Sequence, residues 1–265
     1  MKRYLLILLT LTILTGVGYS QVPIKRKKTE KTEQTQSPSS RQTQQQTSNN
    51  KKKVQSSVKV SEPDGYINGH GYVDLGLPSG TKWATCNIGA STPSDYGDYY
   101  AWGEKDTKSS YLESNSLNYG KTEKELRSAN IITTENILDM SYDVARKKWG
   151  GRWRIPTNND CVELIKKCEW VWVKYNNKNG FKVVGPNGKS IFLPTAGWRE
   201  GRRCYKYDWY GGFWTSTFNG SPGYYGSNWI ENGWAYKMVF NAQSDKGNTT
   251  GETRNTGLSV RPVLE

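Results

Sequence analysis

The chain has 265 residues, 34% hydrophobic and 12% aromatic, with 37 Lys and Arg against 24 Asp and Glu and a formal charge of +13. That length suffices for one domain with a proper core. A single histidine, His70, excludes His-cluster metal sites and leaves a conventional Ser-His-Asp triad to that residue alone.

The charge is unevenly placed. Residues 21–62 hold ten basic and three acidic side chains, a surplus of seven. With Lys2 and Arg3 set aside, the chain from Pro63 onward carries only +4. The basic character belongs to the tail, which argues against nucleic-acid binding by the folded part.

In chain order, Met1-Lys2-Arg3, an apolar run over residues 5–14 and Gly18-Tyr19-Ser20 read as a cleavable export signal covering residues 1–20. The run is shorter than the roughly 18–20 apolar residues that span a bilayer, and no cysteine follows Gly16-Val17-Gly18 to accept a lipid. The expected location is secreted, periplasmic or cell-surface. Residues 21–62, rich in Lys, Gln, Ser and Thr and without an aromatic ring, predict a disordered linker. It serves as a solvated spacer or as a contact to an acidic envelope surface, and both readings stay open.

The folded domain is expected over residues 63–265, in the α+β class, with short, mostly antiparallel strands and two main helices. Strand-like stretches set off by Gly, Pro and Asn lie at residues 71–75, 82–88, 99–102, 180–184, 190–193, 212–217, 234–241 and 257–263. Gly185-Pro186-Asn187-Gly188 predicts a hairpin between the fourth and fifth of these. One helix is predicted over 142–149, with Asp143 at its positive end and Gly150-Gly151 to stop it. The other starts at Thr157, with Asp160 three residues on and Cys161, Leu164, Ile165 and Cys168 at i, i+3, i+4 and i+7. Residues 127–138 read as an irregular loop with a turn of helix. The expected core comprises Trp83, Trp102, Trp153, Ile155, Leu164, Ile165, Leu193, Trp214, Val239, Leu258 and Val260.

Between Pro194 and Tyr236 thirteen aromatic rings stand among glycines and asparagines. Tyr and Trp combine apolar area with a polar handle, so the block predicts a recognition face laid over a β-rich core. Tyr205, Tyr207, Trp209, Tyr224, Tyr225, Trp229 and Trp234 would supply stacking surfaces, and Arg199, Arg202, Arg203 and Asn232 would orient polar groups. The competing reading is that the rings replace the aliphatics this chain lacks.

Several phrases occur in order: Tyr72-Val73-Asp74-Leu75-Gly76-Leu77-Pro78-Ser79-Gly80-Thr81-Lys82-Trp83-Ala84-Thr85-Cys86-Asn87-Ile88-Gly89-Ala90, Tyr96-Gly97-Asp98-Tyr99-Tyr100-Ala101-Trp102-Gly103-Glu104, Trp149-Gly150-Gly151-Arg152-Trp153-Arg154-Ile155-Pro156-Thr157, Ile191-Phe192-Leu193-Pro194-Thr195-Ala196-Gly197-Trp198-Arg199, Gly212-Phe213-Trp214-Thr215-Ser216-Thr217 and Gly257-Leu258-Ser259-Val260-Arg261-Pro262-Val263. Together they resemble the Fibrobacter succinogenes major paralogous domain and its relatives in exported Bacteroidales proteins. That family is similar, more distantly, to the C-type-lectin-like fold of formylglycine-generating enzymes and of the variable proteins of diversity-generating retroelements. The resemblance implies a single lectin-like domain, a helix after Arg-Ile-Pro-Thr, a final strand beside the first, and a ligand face within residues 199–255. It also implies that Cys86 and Cys168 are the usual pair of the family, with Cys161 and Cys204 as additions.

Little in the sequence supports an enzyme. Cys204 stands alone where a copper-binding cysteine pair would be needed, and no Glu-Pro-Asn or Gln-Pro-Asp phrase offers a lectin-type calcium site. Carboxylate pairs such as Asp95 with Asp98, or Glu200 with Asp208, have no fixed separation. No cofactor is expected. Cys161 and Cys168 would lie about 10 Å apart along one helix, too far to pair; the four thiols either bridge otherwise or are buried, and burial is preferred for Cys86 and Cys168. The reading is therefore an exported, non-catalytic module binding a glycan, peptide or surface protein. A ligand-free envelope protein and a degenerate enzyme are the alternatives.

Overall fold

The computed structural model describes residues 58–225 and 228–264, without the side chains of Tyr225 and Asn228. The export signal and most of the linker lie outside the described residues. The first hairpin pairs β1 (Gly65–Ile67) with β2 (His70–Asp74) through Asn68 and Gly69, whose φ angles of 51° and 81° are those of a two-residue turn. β3 (Lys82–Ala84) adds antiparallel to β2 and is shorter than the stretch expected at 82–88. Residues 99–102 contribute one bridge, Tyr100 to Leu258, rather than a strand.

Three helices follow. α1 (Glu123–Ser128) carries a full capping box, with Thr122 accepting from the Glu125 N–H and Glu125 accepting from that of Thr122. It begins before the loop expected at 127–138, and only Leu126 of it is buried. α2 (Val144–Trp149) is capped by Asp143, whose carboxylate accepts from the N–H groups of Ala145 and Arg146 and, on its other oxygen, from Ile155. After β4 (Trp153–Arg154), α3 (Asn158–Lys167) starts at the expected Thr157/Asp160 box and buries Cys161, Leu164 and Ile165. Cys168 is the extended residue that ends this helix; it is half-buried and packs against the same core cluster as the other three. All four cysteines are free thiols; Cys161 is buried, whereas Cys86, Cys168 and Cys204 are intermediate, so the burial expected of Cys86 and Cys168 is only partial.

β5 (Glu169–Tyr175), β6 (Lys178–Val184) and β7 (Ser190–Pro194) form a meander. Asn176 and Asn177, both left-handed, make its first turn; the second is the expected Gly-Pro-Asn-Gly hairpin, with Gly188 at φ 81°. Next come β8 (Trp198–Glu200), β9 (Arg203–Tyr205), β10 (Tyr210–Asn219), β11 (Gly223–Tyr225), β12 (Asn228–Ile230), β13 (Trp234–Asn241), β14 (Asn248–Thr253) and β15 (Val263–Leu264). Every pairing between these strands is antiparallel. The last strand returns to the first sheet but lies between β3 and β4, in the order β1-β2-β3-β15-β4, and so does not neighbour the first strand. The protein thus combines mostly antiparallel sheets with few helices.

The β10-β13-β14 sheet divides the core. Phe213 belongs with Trp83, Leu164, Trp170, Phe181, Met238 and Phe240, while Trp214 belongs with Trp102, Trp149, Trp153, Leu258 and Val260. Adjacent strand residues point to opposite faces, so one strand serves both clusters. The expected core residues are buried except Val239, which is half-buried. Met238 and Phe240 occupy the inner face, and Val239 shares the other with Lys237.

The ordered chain is anchored upstream of Pro63. The Ser61 N–H donates to the Ser190 carbonyl at 3.1 Å, and the Ser190 N–H donates to the Ser61 hydroxyl at 2.8 Å. A chain starting at Val58 is expected to melt like the longer protein. One starting at Pro63 should lose about 1–2 kcal/mol for the two bonds, or roughly 2–6 °C in Tm by calorimetry. Equal melting of the two would show that the Ser61–Ser190 contact adds nothing.

Candidate functional site

The β8–β9 hairpin and the loop leading into β10 build a cleft. Gly197, at φ 68°, makes this possible: a Cβ there would lie 2.0 Å from the Tyr205 carbonyl oxygen. Its N–H donates to the Tyr210 carbonyl at 2.7 Å. Trp198 faces Tyr205 across the hairpin with ring centroids 5.8 Å apart, and meets Tyr210 edge-on at 5.1 Å. The Lys206-Tyr207-Asp208 loop is pinned from beneath. The Tyr96 hydroxyl donates to the Asp208 carboxylate, the Asp208 N–H to the Thr195 carbonyl and the Asn179 amide to the Asp208 carbonyl. Lys206 Nζ lies 4.9 Å from the centre of the Trp209 ring.

Trp198, Lys206, Trp209, Tyr210, Lys237 and Glu252 line a cleft of about 230 Å³. Lys237 is only 6% exposed, and its ammonium donates to Glu252 at 2.6 Å and to the Tyr210 hydroxyl at 2.8 Å. The register places Glu252 diagonally across from Lys237, within reach of a long side chain. The other Glu252 oxygen accepts from the Thr253 N–H at 2.8 Å and from the Thr253 and Thr256 hydroxyls at 3.2 and 3.3 Å. Burial opposes the Lys237 charge, but Glu252 and Tyr210 outweigh it and raise its pKa above the ordinary lysine value. Burial likewise raises the Tyr210 hydroxyl, against the opposing pull of Lys237. At neutral pH Lys237 is therefore an ammonium and Tyr210 a protonated phenol.

The expected ligand residues do not form one face. Tyr205, Tyr207 and Trp209 are 37, 57 and 39% exposed around the cleft, and Arg202 and Arg203 are exposed at the hairpin tip. Tyr224 and Trp229 are exposed too, as a cross-strand pair 5.0 Å apart on the β11–β12 hairpin. That hairpin packs by Gly223 on Trp234, opposite Asn219, at the far end of β10 from Tyr210. β13 covers the same interval in seven steps, Asn241 to Trp234, roughly 24 Å.

Three assignments change. Trp234 is 7% exposed and donates its indole N–H to the Ile230 carbonyl, so it anchors the second hairpin from inside. Arg199 pairs through its backbone with Gly257 and turns its guanidinium over the rings of Tyr99 and Tyr111, 5.7 and 5.9 Å from their centroids. Asn232 is half-buried in the turn between β12 and β13. Tyr225 lies outside the described side chains.

Trp198, Lys206, Tyr210, Lys237 and Glu252 were not expected as site residues. One signal pointed to them: a lysine inside the run Trp234-Ala235-Tyr236-Lys237-Met238-Val239-Phe240 needs a buried partner. A larger hollow of about 450 Å³ lies beside the first sheet, lined in part by His70, Cys86 and Trp149. His70 stacks on Trp149 at 3.8 Å and 8°, which gives the imidazole a packing role. The contact to the Cys86 sulfur is from the Thr85 hydroxyl at 3.7 Å, not from a base. Comparison of the chain with models of known protein families, with characterised proteins and with solved structures returns no significant match, so the reading of the cleft rests on its own geometry.

Proposed function

We propose that the protein is an exported, non-catalytic binding module of the C-type-lectin-like kind, which seats one sugar ring of a glycan in the Trp198–Trp209–Tyr210 cleft. The observation that carries this reading is the ring arrangement: two indoles and a phenol border a hollow of about 230 Å³. Pockets that enclose drug-sized ligands run from roughly 300 to 1,000 Å³, so this one suits a single ring whose apolar face stacks on the aromatic walls. The pinned loop supports the same reading, because a rigid aromatic surface loses little entropy on binding. An acid–base enzyme is disfavoured, since the one carboxylate in the cleft, Glu252, is already held by the Lys237 ammonium, the Thr253 N–H and the Thr253–Thr256 hydroxyl pair. The lectin-like assignment rests on the ordered phrases and on the helix α3 that follows Arg154-Ile155-Pro156-Thr157.

A glycan screen of the chain from residue 21, followed by titration, tests the proposal. Trp209→Ala should bind the selected glycan about thirtyfold more weakly, the loss of roughly 2 kcal/mol typical of an interface ring. Its Tm should stay close to that of the parent, because the ring is partly exposed. Unchanged affinity, or an equal loss in Tyr224→Ala on the distant hairpin, would remove the cleft as the site.

A further inference from the structure

We propose that the sugar bound in this cleft carries a carboxylate, as a hexuronic acid does, and that the carboxylate sits against Lys237 Nζ and the Tyr210 hydroxyl; this rests on the glycan reading above. The argument is a count of donors and acceptors. An ammonium has three donors, and Lys237 uses one on Glu252 and one on Tyr210. The Tyr210 oxygen accepts from Lys237, which leaves its own proton for another acceptor. Glu252 is held on Oε1 by the Thr253 N–H and by the Thr253 and Thr256 hydroxyls, and on Oε2 by Lys237. The floor of the cleft presents two neighbouring donors, the third Lys237 proton and the Tyr210 hydroxyl, which suit the two oxygens of a ligand carboxylate.

Charge points the same way. Lys206 lines the cleft, and Arg202 and Arg203 are exposed at the tip of the adjoining hairpin. Asp208, the carboxylate of the loop between them and β10, already accepts from the Tyr96 hydroxyl. An acidic group set against a largely buried ammonium gains charge-assisted hydrogen bonds that a neutral hydroxyl does not. It also gains from the positive rim.

The test uses a glucuronic-acid-containing oligosaccharide and its carboxyl-reduced, neutral counterpart, titrated against the chain from residue 21. The acid should bind at least about tenfold more tightly than the neutral sugar, and the preference should shrink with added salt. Tyr210→Phe keeps the ring and Lys206→Met keeps most of the stem, so both should fold. Each should bring the ratio of acid to neutral affinity toward one, and that ratio, not the affinity for either sugar alone, is the readout. Lys237→Met strands Glu252 and is not needed. Equal affinity for the two oligosaccharides, or tighter binding of a neutral N-acetylated sugar, would overturn the carboxylate assignment and leave the glycan module standing. No binding of any glycan, with Trp209→Ala indistinguishable from the parent, would overturn both.

Discussion

Arg261→Leu should destabilise the domain by about 4 kcal/mol or more in urea denaturation. Arg261 is fully buried and ties three separate segments together. Its Nε donates to the Asn87 side-chain oxygen at 2.7 Å, Nη1 to the carbonyls of Ala84 and Thr85 at 3.0 and 2.7 Å, and Nη2 to the Phe192 carbonyl at 3.0 Å. No carboxylate is among these partners. Burial brings its pKa down to about 10, so it stays charged at neutral pH, solvated by carbonyl dipoles. Leucine would leave the acceptors facing an apolar side chain, at about 1–3 kcal/mol for each one that water cannot reach. Simple addition would exceed the usual ceiling for point substitutions, and partial relaxation brings the expected loss back to about 4–5 kcal/mol. Lysine keeps the charge but lacks the planar fork, so Arg261→Lys should recover only part of the loss. A cost below about 1 kcal/mol for Arg261→Leu would mean that the guanidinium is not a clamp.

Trp214→Ala should cost about 3–5 kcal/mol, through lost transfer energy and the cavity left behind. Trp214 is 1% exposed, and its indole donates to the Tyr100 carbonyl at 2.7 Å. Trp102 reciprocates, donating to the Thr215 carbonyl at 2.9 Å, so the two rings tie the segment at residues 100–102 to β10. Backbone bonds hold the same segment to residues 254–258, Tyr100 with Leu258 in both directions and the Trp102 N–H to the Arg254 carbonyl, so the indoles are its tie to β10 in particular. Trp214→Phe keeps most of the volume and loses the bond, and should cost about 1–2 kcal/mol. The same measurement on Trp209→Ala should give a far smaller change. If all three variants moved together, the division between core ring and cleft ring would be wrong.

Much of the local structure was legible because its causes are local. Thr157 and Asp160 mark the start of α3, and Gly185-Pro186-Asn187-Gly188 marks the β6–β7 turn, whatever lies beyond them. Other local signals were present and underweighted. Asn68-Gly69 is a hairpin turn, and Thr122 with Glu125 is a capping box, but the elements they join are only three to six residues long. β14 was missed for a different reason. Asn248-Thr249-Thr250-Gly251-Glu252-Thr253 shows no apolar alternation, because its two buried residues are Glu252, bonded to a buried lysine, and Thr253.

The sequence by itself determined that aromatic rings would crowd the stretch from Pro194 to Tyr236, and where several turns and helix starts fall. Those follow from composition and from contacts within a few residues. Only the tertiary structure decided which rings are core, which border a cleft and which stand apart. Trp209, Trp214, Trp229 and Trp234 come from one block of sequence, yet they end at a cleft wall, in the core, on a remote hairpin and beneath that hairpin. Burial depends on which sheet covers a strand face, and the Lys237–Glu252 pair that floors the cleft exists only once β13 and β14 are in register. Residue type constrains what a side chain can do; non-local pairing decides whether it meets a partner or solvent.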